Sequence, residues 1–144
     1  MASIRVALAQ LNFHLGDFEK NVTSISEAYD QSLARDADVV VFSELAVCGY
    51  PPEDLLLKQQ FLEDARTALE QIATRTSDTV AVVGFPEQEG RLLYNSAAVC
   101  HQGTIKGIYR KQLLPNYSVF DEKRYFTPGT SAGPIFQIAG VMVG

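Results

Sequence analysis

Histidine and cysteine are scarce in this 144-residue chain: His14, His101, Cys48 and Cys100 are the whole supply. No CxxC pair and no Cys/His ligand spacing connects them, so no metal is assigned. Two cysteines in separate strand-like contexts also make no secreted disulfide scaffold. Basic charge is in the minority, with 12 Lys and Arg against 17 Asp and Glu for a net charge of −5. That balance offers no basic stripe to neutralise a phosphate backbone and argues against a nucleic-acid partner. The apolar runs are too short to cross a bilayer, which argues against a membrane partner. There is no basic leader followed by an apolar run and a small-residue cleavage site, so a cytoplasmic location is expected. Internal repeats, low-complexity tracts and obvious linkers are missing as well.

What is present has the size and apolar content of one domain, 47% of it hydrophobic, enough to bury a core. Ile4 to Gln10 alternates and reads as a first strand, and the β-branched run Val39 to Phe42 reads as a second, buried on both faces. Between them Phe18, Val22, Ile25, Tyr29 and Leu33 recur at helical spacing, with Asp17 as the N-cap. After the turn set by Pro51 and Pro52, a second helix carries Leu62, Ala65, Leu69 and Ile72 on one face. Thr79 to Phe85 reads as a third strand. Asn95 to Cys100 and Thr104 to Arg110 form a hairpin turning near Gln102-Gly103. From Gln112 to Pro134 the pattern dissolves into an aromatic, charged, Pro- and Gly-containing stretch too long for a plain connection. IFQIAGVMVG then gives two short strands meeting at Ala139-Gly140. The order fits an α/β layered fold with helices on a mixed sheet.

Two charges stand where an apolar strand gives way to a loop: Glu44 in FSELAVCGYPPEDLL and Lys111 in YRKQLLPNYSVFDEKRYF. In layered α/β folds, ligands bind outside the carboxyl ends of strands. Taken singly, a glutamate there could cap a loop and a lysine could be a solvated edge residue. Taken together, the two extended segments and the opening IRVALAQLNFHLGDFEKN resemble the nitrilase family of carbon–nitrogen hydrolases. Within that family the wording PPEDLLL and LPNYSVFDEKRYF is similar to the glutaminase branch found in glutamine-dependent NAD synthesis.

The resemblance implies a nitrilase-like α-β-β-α sandwich, of which residues 1–144 supply the N-terminal portion. Glu44 and Lys111 are then expected at the same end of neighbouring strands. It implies that Glu44 is a general base and acid, that Lys111 stabilises an oxyanion, and that Glu122 helps order the site. Tyr50, Tyr117 and Phe120 match positions that shape the substrate pocket, although core packing would also account for such aromatics. The family's nucleophile is a cysteine on a later strand, so Cys48 and Cys100 are read as core residues. The chain is therefore expected to continue past Gly144 and to be inactive as it stands. L-Glutamine is the substrate implied, with a synthetase domain of the same polypeptide as partner and self-association into a homo-oligomer. No cofactor is implied for this domain; ATP and magnesium belong to the synthetase domain. Two other readings stay open: a free-standing hydrolase of another amide or nitrile, and a non-catalytic assembly fragment.

Overall fold

A computed structural model describes residues 2–144. Its centre is a five-stranded sheet in the order β1 (Val6–Ala9), β2 (Val39–Phe42), β3 (Val80–Glu89), β4 (Leu92–His101), β5 (Thr104–Arg110). β1, β2 and β3 pair in parallel, β3–β4 and β4–β5 antiparallel. The carboxyl ends of β2, β3 and β5 therefore point the same way. Helices α1 (Phe18–Leu33) and α2 (Gln59–Arg75) cover one face, and a separate hairpin of β6 (Phe136–Ile138) and β7 (Val141–Val143) lies on the other.

Period two on the strands meets period 3.6 on the helices along a continuous core. Val40, Phe42, Ala81, Val83, Phe85 and Ala98 face Ile25, Tyr29, Ala65, Leu69 and Ile72. Full burial of Phe85 or Ile25 contributes about 1.5–3 kcal/mol apiece. α1 begins where an Asp17 carboxylate oxygen accepts the Lys20 backbone N–H at 3.1 Å, satisfying one of the free donors of the first turn. The Tyr29 hydroxyl anchors the helix to the sheet, donating to the Thr79 carbonyl and accepting from the Ser77 N–H, both at 2.8 Å. On the opposite face Val39, Val41, Val80, Val82 and Val99 meet Phe136, Ile138 and Val143.

Three boundaries differ from the sequence reading. β1 is shorter, Val6–Ala9 rather than Ile4 to Gln10. β3 runs on to Glu89 and β4 begins at Leu92, joined by a tight turn with Gly90 at φ +60°. The strand continues through Pro86, beyond the Phe85 at which the sequence reading ends it. The Gly84 carbonyl points away from β4, accepting the Val47 N–H at 3.2 Å. Pro86, two residues on, shares that orientation, so its missing N–H is not needed by the β3–β4 ladder. A short 3₁₀ turn at Glu53–Leu57 also went unforeseen.

Candidate active site

β2 delivers Glu44 two residues past its end, and β5 delivers Lys111 one residue past its own. They do not sit on neighbouring strands as expected: β3 and β4 lie between them. The gap is closed by the loop Ser43–Gly49, which folds across β3. It turns through hydrogen bonds from Ala46 N–H to Ser43 O (3.3 Å) and from Cys48 and Gly49 N–H to Leu45 O (3.1 and 2.9 Å). Leu45, directly after Glu44, is held at φ +52° while fully buried. A left-handed leucine costs about 1–2 kcal/mol, and its surroundings hold it there. The crossing is possible because residue 84 is glycine: a Cβ there would stand 2.5 Å from Leu45 N and 2.7 Å from Ser43 O. Asn21 of α1 ties the same loop down, donating to Val47 O at 3.1 Å while bonding both backbone groups of His14.

The crossing brings three charges together. Lys111 Nζ donates to Glu44 Oε1 at 2.9 Å and to Glu122 Oε1 at 3.0 Å. Asn95 Nδ2 donates to the same Glu44 oxygen. Glu122 is 8% exposed, and its second oxygen, Oε2, is buried without a hydrogen-bond partner. Burial alone would lower the Lys111 pKa, but hydrogen bonds and charge from both glutamates outweigh it and the net shift is upward. The ammonium is therefore fixed through the neutral range. The Tyr50 hydroxyl is raised too, first by burial and then by the negative charges of Glu44 and Glu122, with Lys111 opposing them. It remains a donor at neutral pH.

A pocket of about 430 Å³ opens beside this cluster, and Glu122 belongs to both. Tyr50 and Phe120 line it, with Leu45, Pro52 and Tyr125. Tyr117 is placed differently. Its ring meets Phe120 edge-on at 5.7 Å, but it lines an adjacent depression with Leu113 and Pro115. Cys48 and Cys100 are fully buried, and burial pushes each thiol up to about 12. Among the described residues no group of three or more His, Cys, Asp or Glu is arranged to hold a metal.

Sequence reasoning missed the supports. Glu87 accepts Arg110 Nε and Nη2 at 2.8 and 2.6 Å and Ser96 Oγ at 2.7 Å, while Arg110 lies 4.0 Å over the Tyr94 ring. This bidentate pair fixes the end of β5 immediately before Lys111. Asn95 and Ser96 were legible in principle as polar residues inside the strand run LLYNSAAVC. Chemically, the cluster offers a carboxylate acceptor and a fixed ammonium donor within reach of one small ligand, with a buried carboxylate behind them.

A family model described as carbon–nitrogen hydrolase matches residues 5–144. The chain is 46% identical over 145 residues to a glutamine-dependent NAD(+) synthetase of Xylella fastidiosa strain Temecula1, covering 98% of this chain and 26% of that protein. It is 45% identical to the Thermotoga maritima protein of the same name, covering 100% and 25%. The chain thus spans about a quarter of the length of these relatives. Its fold superposes on glutamine-dependent NAD+ synthetase from Acinetobacter baumannii with a TM-score of 0.90 and 41% identity, over 96% of this chain and 26% of that one. An amidase from Nesterenkonia sp. superposes with a TM-score of 0.82 at 25% identity, over 96% and 53%.

Proposed function

The chain belongs to the carbon–nitrogen hydrolase family, and from that premise we propose that it forms the first part of the glutamine-hydrolysing domain of an NAD synthetase. In this reading the domain converts L-glutamine to glutamate and ammonia, and the ammonia is used in the ATP- and magnesium-dependent amidation of deamido-NAD by a second, cytoplasmic domain of the same polypeptide. The observation that carries the reading is the Lys111 ammonium bridging Glu44 and Glu122, the latter also lining a pocket with Tyr50 and Phe120. Identities near 45% to proteins named as glutamine-dependent NAD(+) synthetases support the choice of substrate.

The geometry supports the following roles. Glu44, whose side chain is 41% exposed, accepts the proton of an incoming thiol. The sulfur attacks the carboxamide carbon, and the oxygen that takes up the electron pair is held by Lys111 Nζ. As the C–N bond breaks, Glu44 returns its proton to nitrogen and ammonia leaves. Water, deprotonated by Glu44, then opens the thioester to give glutamate and the free thiol. Glu122 keeps Lys111 in place from the buried side. Tyr50 and Phe120 form the walls against which the substrate lies, and Tyr117 buttresses Phe120. The thiol comes from outside these residues, because neither buried cysteine supplies a thiolate at neutral pH.

The test is turnover of amide-¹⁵N glutamine. The full-length protein should release ¹⁵N-ammonium and discriminate against acetamide and asparagine, whereas the 144-residue chain alone should not turn over. Turnover of simple amides in preference to glutamine would replace the substrate assignment with that of a general amidase.

A further inference from the structure

The donors on Glu44 are distributed unevenly. Lys111 Nζ and Asn95 Nδ2 both point at Oε1, and no protein group donates to Oε2 among the described residues. Asn95 is 4% exposed and sits on β4 between β3 and β5, opposite Pro86 in the ladder. Its amide must present nitrogen to the carboxylate, since the reverse orientation would place two acceptor oxygens together. The same residue's backbone carbonyl accepts the Lys111 N–H at 2.9 Å. One buried asparagine in the middle of the sheet thus holds the carboxylate that arrives from β2 and the lysine that arrives from β5.

We infer that Asn95 is a positioning residue for the hydrolytic reaction: together with Lys111 it pins Glu44 Oε1, leaving Oε2 as the oxygen that takes and returns the proton. The inference rests on the reading of Glu44 as the base. With Oε1 occupied by two donors, a proton arriving there would displace a hydrogen bond. Oε2 can accept one with no such loss, and its direction is fixed because the carboxylate plane is fixed. Without Asn95 the carboxylate can rotate about Lys111 alone, and either oxygen can face the reacting atoms.

The test uses the full-length enzyme with Asn95→Asp, which keeps the shape but replaces the donor with an acceptor, and Asn95→Leu, which keeps the volume without polar groups. Both should lower glutaminase kcat by about 100-fold, the scale of a misplacement of about 1 Å, with KM changed less than about twofold. A purely structural asparagine would instead make the isosteric Asp variant the milder of the two and would not confine the loss to kcat. Near-normal kcat in a folded Asn95→Asp enzyme would overturn the inference.

A second measurement requires no turnover. In the full-length protein, the Asn95 side-chain amide resonances should move on Glu44→Gln, and unmoved resonances would remove the contact itself. If the resonances move while the wild-type enzyme fails to hydrolyse glutamine, the assigned reaction falls but the anchoring of Oε1 stands.

Discussion

Replacing Gly84 by alanine adds a single methyl group at the point where the Glu44 loop crosses β3. An ideal Cβ would lie 2.5 Å from Leu45 N, 2.7 Å from Ser43 O and 3.1 Å from the Glu44 carbonyl carbon. Ordinary contacts begin near about 3.5 Å, so about 1 Å must be found. β3 cannot retreat, because at Gly84 it is paired to β4 through Ala97 and packed on the helix layer by Val83 and Phe85. The loop must move instead, against backbone atoms that have no rotamer to yield. Overpacking costs about 1–3 kcal/mol, and an all-backbone clash belongs near the top of that range. The Val47–Gly84 hydrogen bond and the Glu44–Lys111 contact lie directly in the path of the shift. Urea unfolding should therefore show a loss of about 2–3 kcal/mol, and glutamine hydrolysis by the full-length protein should fall by about 100-fold. A folded Gly84→Ala protein within about 0.5 kcal/mol of wild type, with unchanged activity, would refute the claim that this crossing sets the position of Glu44.

Glu87→Gln should cost about 2 kcal/mol at pH 7, since it strips the buried half of a bidentate pair whose Arg110 partner is partly solvated. Burial acts to raise the Glu87 pKa, but Arg110 and Ser96 overcome it and hold the group below its ordinary value of 4.5. Its contribution is therefore complete above about pH 4.5 and lost as pH falls through the folded value. Unfolding at pH 7 and pH 3 should show the gap between wild type and Glu87→Gln shrinking in acid, and a constant gap would contradict the pair. The thiols of Cys48 and Cys100, raised to about 12, should ignore a disulfide reagent at pH 8 in the native protein and react fully in denaturant. Native-state labelling at the rate of an exposed thiol would contradict their burial.

Local chemistry made much of the fold legible. The Phe18 to Leu33 stripe and Asp17 marked α1, the run Val39 to Phe42 marked β2, and Gln102-Gly103 and Ala139-Gly140 marked two turns that the structure realises with positive φ at all four residues. Glu44 and Lys111 stood out because each ends an apolar strand. What stayed hidden depends on distant parts of the chain meeting. The extension of β3 through Pro86 is stabilised by polar partners on β4 and β5, invisible to a pattern that reads Pro and Glu as a strand end. The meeting of Glu44 with Lys111 across two intervening strands depends on a missing side chain at Gly84. Glu122 lies in an irregular stretch, where spacing carries no information about burial. Asn95 carries no charge, and its signal is a neutral amide inside an apolar strand run.

The central claim is that Glu44 and Lys111 form an ammonia-producing site, and it is tested most directly by measuring two activities of one full-length protein. Glu44→Gln and Lys111→Ala should each lower glutamine-dependent NAD synthesis by about 10²–10⁴-fold, the range for losing a general base or an oxyanion donor. Synthesis from added ammonium should remain at the wild-type rate. Retained glutamine-dependent synthesis in either folded variant, or parallel collapse of both activities, would contradict the account.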